Sequence, residues 1–291
     1  MYERADVNNA VISQTRALPV TRIAVAHLVR RSNDEKHLRQ FIESYTKHPA
    51  GIEHQLILLL KGYSASDVIG IKKLTGSIDW HPFIMPDEGR DIGAYLAVAR
   101  ALAFDQFCFL NSYSRVLADD WLLKLHTALE TMPRAGVVGA TGTWWRPTRD
   151  IEFPNYNIRT NGFLIRRETL LSLKLWPIRG RPDAVRFEAG PDGMTRQLML
   201  QGWLPYVVDR EGVAWSSEKW PYCQVFWSGD QERLLIADNR TDWYATGRPR
   251  LRAWCRKIAW TPERAGRRPG RAPKWMRKLA AKVVGSLLSQ E

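Results

Sequence analysis

The chain has 291 residues, 45% of them apolar and 25% charged, proportions that suit one large α/β domain with extensions. No apolar run reaches the roughly 20 residues of a membrane-spanning helix, and residues 1–16 lack the basic-then-apolar order of a secretory signal. Cys108, Cys223 and Cys255 lie too far apart to suggest a disulfide framework or a zinc site, so a reducing cytoplasm is the expected location.

Residues 1–20 read as a loose leader. Arg22–Val29 reads as a first buried strand, and Leu38, Phe41, Ile42 and Tyr45 place a helix over Asp34–Tyr45. Gln55–Leu60 is a second apolar strand, Ala65–Lys73 a weaker helix, and Asp79–Met85 a short strand. The stretch that follows organises the rest. Gly89 and Gly93 open a helix in which Ile92, Leu96, Ala99 and Leu102 fall near helical spacing, and the alternating alanines permit close packing on a sheet. Phe107–Leu110 is too short for a helix and too apolar for a loop. It predicts a central strand, ending in Asn111, Ser112, Tyr113 and Ser114. In open α/β sheets that end of a strand is where ligands bind.

Downstream, Asp119–Met132 predicts a helix capped by Asp119 or Asp120, and Val137–Ala140 a strand. Thr141–Ile158 reads as a Trp-, Pro- and Arg-rich loop, and Thr160–Ile165 as a strand followed by a helical turn over Glu168–Leu173. Arg179–Gly193 reads as a polar loop, Met194–Gln201 as a helix stopped by Gly202, and Leu204–Val208 as the final strand. Residues 211–247 hold many aromatics with little periodicity. The alternation of strands and helices predicts a single Rossmann-like, mostly parallel central sheet flanked by helices, spanning residues 21–247.

The net charge of +13 is concentrated in the last part of the chain, residues 248–291, which reads as a basic tail. Within it, residues 273–288 would form an amphipathic helix with Trp275, Met276, Leu279 and Val283 on one side and Arg277, Lys278 and Lys282 beside them. That pattern suits either the surface of an anionic membrane or docking on the chain's own domain or a partner subunit. Because the basic residues cluster there rather than among strand aromatics, nucleic acid is disfavoured as a partner. His27, His81 and His126 have no second ligand at metal-binding spacing and read as core or surface residues.

Five pieces in this order resemble family-2 glycosyltransferases with the A-type nucleotide-sugar-binding fold, over roughly residues 20–210. They are the first strand; the second, ending L-L-K-G-Y-S; G-R-D-I-G-A-Y-L-A-V-A-R-A-L; F-C-F-L-N-S-Y-S-R-V-L-A-D-D-W-L; and the pair T-N-G-F-L-I-R-R-E-T-L and F-E-A-G-P-D-G-M-T-R-Q-L-M-L-Q-G-W. The resemblance implies transfer of a hexose from a nucleotide-sugar donor to a glycan, lipid-linked or protein acceptor, with inversion, in polysaccharide biosynthesis. It would place the protein in the cytoplasm or at the inner face of the membrane. A non-catalytic module of the same fold, binding a glycan or nucleotide, is the alternative. The resemblance assigns Glu188, with Asp192 second, as catalytic base, and puts Lys61, Arg90, Asp91, Asn111, Ser112 and Tyr113 at the donor. Trp144, Trp145 and Asn161 fall on the acceptor side. Relatives hold Mg²⁺ or Mn²⁺ with an Asp-x-Asp motif where this chain has Asn111-Ser112-Tyr113. Amide and hydroxyl groups are poor ligands for such cations, which leaves Asp91 as the carboxylate able to reach the crevice, or Arg90, Arg115 or Lys61 to neutralise a diphosphate instead.

Overall fold

The computed structural model describes residues 21–263. The expected leader, residues 1–20, and the expected amphipathic helix at 273–288 lie outside them. In chain order the elements are β1 (Ile23–Arg30), α1 (Lys36–Lys47), β2 (Gln55–Lys61), α2 (Val68–Thr75), β3 (His81–Met85), α3 (Arg90–Ala101), β4 (Gln106–Leu110), β5 (Arg115–Val116), α4 (Trp121–Thr131), β6 (Ala135–Gly139), β7 (Gly142–Thr143) and β8 (Asn157–Ile158). There follow β9 (Gly162–Arg166), α5 (Arg167–Leu171), α6 (Arg181–Ala189), α7 (Met194–Leu200), β10 (Leu204–Val208), β11 (Ala214–Ser216), β12 (Ile236–Ala237), α8 (Asn239–Ala245) and α9 (Pro249–Trp260).

Eight strands form one sheet in the order β11-β10-β6-β9-β4-β1-β2-β3. The sheet is mostly parallel, as the alternation of elements implied. β9 runs antiparallel between β4 and β6, and β11 antiparallel to β10. The period-two alternation of β1 divides the core. Ala24, Ala26 and Leu28 face α3 and α7 together with Phe107 and Phe109, whereas Ile23, Val25 and Val29 face α1, α2 and α4 together with Cys108 and Leu110. Both faces are therefore covered, which is why β1, β2 and β4 read as continuous apolar runs.

Three expectations are corrected. Arg179–Gly193 contains a helix, α6, in place of an open loop. Pro182 starts it, the Asp183 carboxylate accepts from the backbone amides of Arg179 and Gly180, and Phe187 and Ala189 bury its inner side. Leu204–Val208 is not the last strand, since β11 adds to it and β12 pairs with β5. The cap of α4 is corrected only in part: Asp120 holds the N-cap position as expected, left-handed, but its side chain makes no cap hydrogen bond, and Asp119 binds the His48 ring at 2.8 Å. The stretch after residue 248 begins with α9, which packs with α8 around Phe226, Trp227 and Tyr244.

The chain passes β1, β2, β3 to one side and then crosses to β4 on the other side of β1. That reversal leaves a crevice at the carboxyl ends of β1 and β4, the place where such sheets receive ligands.

Candidate functional site

The crevice is shallow and open to solvent, with His27, Arg30, Asn33, His37, Tyr63 and Ser112 among its lining residues. The His27 ring lies flat on Phe41, 3.7 Å between centroids, with neither ring nitrogen hydrogen-bonded. Burial alone pushes its pKa down to about 3, so the ring is neutral. The Asn33 side-chain amide is likewise enclosed without a partner.

Behind Arg30, which lines the crevice, lies a charge-paired knot. Arg30 donates two 2.9 Å hydrogen bonds to Asp87, and the fully buried Lys61 lies 3.8 Å from the same carboxylate. The Lys61 ammonium donates to the carbonyls of Glu88 and Arg90, each at 2.5 Å. Lys61 therefore fastens the entrance of α3 to β2 and does not face the crevice, which corrects its expected contact with a donor phosphate. Gly89 makes that entrance possible. It sits at φ 70°, and a Cβ there would lie 3.1 Å from both Gly93 Cα and the Ile178 carbonyl oxygen. Arg90 follows, exposed and also left-handed, and Asp91 begins the inner face of α3.

At the tip of β4, Asn111 turns the chain. Its side-chain oxygen accepts from the Tyr113 amide at 2.8 Å and the Ser114 hydroxyl at 3.1 Å. Ser114 and the Asn111 amide both reach the Asn161 carbonyl, which joins this turn to the start of β9. Ser112 lines the crevice and Tyr113 packs edge-on against His37.

Beyond this turn lies the acidic and basic half of the site. Tyr95 of α3 donates to the Thr160 carbonyl at 3.3 Å, and the Thr160 hydroxyl is 3.5 Å from Asp91. Glu188, near the end of α6, faces the same place. Burial raises its pKa above the ordinary carboxylate value; Arg159 opposes the rise, Asp91 and Asp238 add to it, and backbone hydrogen bonding at Thr160 works against it. Arg159 lies 4.2 Å over the Phe226 ring and donates to Asp238 at 3.1 Å. Asp238 is fully buried and also caps α8, accepting from the amides of Arg240 and Thr241 at 2.9 Å.

The structure thus brings together Asp91, Asn111, Ser112, Tyr113, Asn161 and Glu188, and separates several others. Asp192 is held by Nε and Nη2 of Arg186, whose hydrogen bonding is the main cause of its lowered pKa, and Arg186 stacks on Trp176. Arg115 is spent on a bidentate pair with Asp242 of α8, at 2.6 and 2.9 Å. Trp144 is a packing residue: its indole nitrogen donates to the Ser217 carbonyl, and its ring meets Phe153, Tyr156 and Trp260 edge to face. Trp145 is half-buried, its carbonyl holding the amides of Asn155 and Asn157. Asn161 is almost wholly buried; it accepts from the Thr141 hydroxyl at 2.5 Å, and its amide nitrogen has no partner.

Arg159, Thr160, Asp238 and Arg240 belong to this half of the site and were not among the expected residues. Arg159 and Thr160 directly precede Asn161 in the sequence, so the only cue was adjacency. Asp238 and Arg240 lie in the aromatic stretch that shows no motif.

A divalent cation is implied by the resemblance, and the residues present do not fit one. The Asn111 oxygen is engaged twice in its own turn, and among the described residues no group of three or more His, Cys, Asp or Glu is arranged to hold a metal ion.

Neither a family model nor a curated protein matches the chain. Among solved structures it is similar to a mannosyltransferase from Pyrobaculum calidifontis in complex with GDP-Man and Mn²⁺, at 11% identity and a TM-score of 0.46, covering 70% of this chain and 59% of that one. It is similar also to glucosyl-3-phosphoglycerate synthase from Mycobacterium tuberculosis, in complex with Mn²⁺, UDP and glucosyl-3-phosphoglycerate. There the identity is 17% and the TM-score 0.41, over 62% of this chain and 65% of that one. A third is 4-diphosphocytidyl-2C-methyl-D-erythritolsynthase from Anaerococcus prevotii, at 16% and 0.37, over 57% of this chain and 83% of that one. The chain spans less than two thirds of the first two, and at such low values the likenesses carry no functional weight.

Proposed function

We propose that this chain transfers a sugar from a nucleotide-activated donor to an acceptor hydroxyl, with inversion at the anomeric carbon. The observation that carries this is Glu188. It is a carboxylate with a raised pKa, set beside Asp91 and Arg159 at the carboxyl edge of a mostly parallel sheet. In this reading the nucleoside occupies the crevice between His27, Tyr63 and Ser112. The sugar reaches past the Asn111 turn toward Glu188, which takes the proton from the acceptor hydroxyl as that oxygen attacks C1; the C1–O bond to the diphosphate breaks and the nucleoside diphosphate leaves. A raised pKa suits the base, because its proton affinity is closer to the operating pH. The acceptor is a glycan, a lipid-linked sugar or a protein, and polysaccharide assembly at the inner membrane face, with residues 273–288 on anionic lipid, fits the composition of the tail.

The test is a panel of UDP-, GDP- and dTDP-sugars, read by thermal shift and by sugar release, with and without Mn²⁺. One donor is expected to stabilise the protein and turn over. Glu188→Gln is expected to keep that stabilisation while losing about 10²–10⁴-fold in rate. A flat response to the whole panel sinks the proposal. A second reading, nucleotide or glycan binding without turnover, is favoured by the Asn111-Ser112-Tyr113 turn, which lacks carboxylates. It predicts nucleotide binding, no sugar release, and no effect of Glu188→Gln on binding.

A further inference from the structure

α8 and α9 pack together on a small core of their own, Phe226, Trp227, Tyr244, Cys255 and Ala259. The start of α8 is tied to the site. Asp238, its cap, holds Arg159, and Asp242, one turn on, holds Arg115 through two hydrogen bonds. Arg115 lies just past the Asn111 turn and Arg159 just before Asn161, so the helical pair stands beside the turn that joins them.

The other side of α9 is basic and aromatic. Cys255 and Ala259 are its buried residues, whereas Arg250, Ala253, Trp254 and Lys257 recur at the three- and four-residue spacing of a second stripe. Arg250 and Ala253 are exposed, and Trp254 and Lys257 half-buried. Trp254 ends an aromatic ladder that runs out from the core. Its ring meets Trp243 of α8 edge to face, 6.0 Å between centroids, and Trp243 meets the buried Trp227 in the same way at 5.9 Å. Ile258, one turn beyond Trp254, is half-buried as well.

The positive charge on this side is not balanced from within. Between residues 238 and 263 the acidic residues are Asp238, Asp242 and Glu263, and each is in an ion pair already, with Arg159, Arg115 and Lys257. Arg252 is held by Asp230. Arg248, Arg250 and Arg256 are exposed, and among the described residues none of them enters an ion pair; Arg256 donates only to the Tyr244 hydroxyl, at 3.0 Å. The rest of the chain does not supply the missing charge, since residues 264–291 carry eight more lysines and arginines against one acidic residue, Glu291. A second copy docking by the same face would bring arginine onto arginine. Unpaired arginines beside indole and aliphatic side chains match the headgroup layer of an anionic bilayer. Lipid phosphates take the guanidinium groups there, and tryptophan sits at the water boundary.

We infer that α9, through Arg248, Arg250, Trp254 and Ile258 and with Trp243 of α8, is a docking face for an anionic lipid surface. This face belongs to the folded domain and is distinct from the amphipathic pattern at residues 273–288. It goes beyond the transferase reading, and its test needs no donor.

The test sediments the full chain with vesicles of phosphatidylcholine alone and of phosphatidylcholine mixed with phosphatidylglycerol. Binding to the anionic vesicles and not to the neutral ones is expected. One basic residue at a lipid surface contributes roughly fivefold in affinity, so Arg248→Gln/Arg250→Gln is expected to bind about tenfold or more weakly. Both positions are exposed, and Arg248 makes no side-chain cap to α9. Lys72→Gln/Lys73→Gln removes the same charge from exposed positions on α2 and is expected to lose much less. Ala253→Trp, which adds an indole to the exposed stripe, is expected to tighten binding several-fold, roughly what one buried aromatic ring contributes. Equal losses in the two double variants would reduce the effect to overall charge and overturn the inference. Unchanged binding in Arg248→Gln/Arg250→Gln, which leaves residues 264–291 as the lipid contact, overturns it too, as does no gain from Ala253→Trp. So does failure to bind anionic vesicles, or retention of a single-stranded RNA oligomer in their place. Sugar release from a nucleotide sugar alongside any of these negative results would leave the transferase reading standing.

Discussion

The buried ammonium of Lys61 donates to the backbone carbonyl of Arg90 at 2.5 Å, so the end of β2 holds the first turn of α3. The same ammonium bonds the Glu88 carbonyl. A cation that looked like a phosphate ligand in the sequence is a fastening for the backbone.

Lys61→Met keeps much of the side chain's length and removes the donor. Two carbonyls then lose their partner, and Asp87 loses one of its two cations. Destabilisation of about 1–3 kcal/mol is expected in urea unfolding. An unchanged midpoint would mean that water replaces the ammonium at no cost.

Gly89→Ala tests the same entrance from the backbone. The left-handed φ and the two 3.1 Å approaches leave no room for a methyl group unless α3 shifts away from Ile178. The expected loss is about 1–3 kcal/mol, with weaker nucleotide retention in the same variant. Native stability with native nucleotide binding would show that the entrance relaxes freely.

His27 makes the fold acid-sensitive. Its pKa falls from 6.5 when unfolded to about 3 when folded, so between those values the unfolded chain binds the extra proton and stability drops as pH falls. The slope from this group approaches about 1.4 kcal/mol per pH unit. His27→Phe, which keeps a ring on Phe41, is expected to unfold in urea with a shallower loss of stability over this window. Parallel pH profiles for variant and parent would rule out His27 as the origin.

Glu188 works in the opposite sense. Burial raises its folded pKa above the unfolded value of 4.5, so the native state holds its proton longer, and stability is lost as pH rises through the folded pKa. Glu188→Gln, uncharged throughout, is expected to gain stability relative to the parent at pH 8 and to lose that advantage near pH 4. Denaturant midpoints at the two pH values measure it. A variant less stable than the parent at pH 8 would mean that Arg159 outweighs burial.

The strands of the core were legible because both faces of the sheet are covered. A strand buried on two sides must be apolar throughout, and Arg22–Val29, Gln55–Leu60 and Phe107–Leu110 announce themselves by that alone. α6 was not legible, since only Phe187 and Ala189 are buried among its nine residues and the rest reads as a polar loop. Trp144 and Trp145 misled for a related reason. A tryptophan pair in a Pro- and Arg-rich segment looks exposed until Trp260 and Tyr156, distant or offset in sequence, close on it.

From the sequence alone came the layered α/β architecture, the glycine-opened helix and the strand tip at Asn111, because apolar periodicity and glycine placement are local properties that survive in one dimension. Which charges belong to the site was decided only by the tertiary structure. Lys61 and Asp192 were drawn away by partners that folding supplies, and Arg159 and Arg240, 81 positions apart by their numbers, were brought to Glu188. Electrostatic interaction depends on distance and burial, and neither exists until the chain has folded.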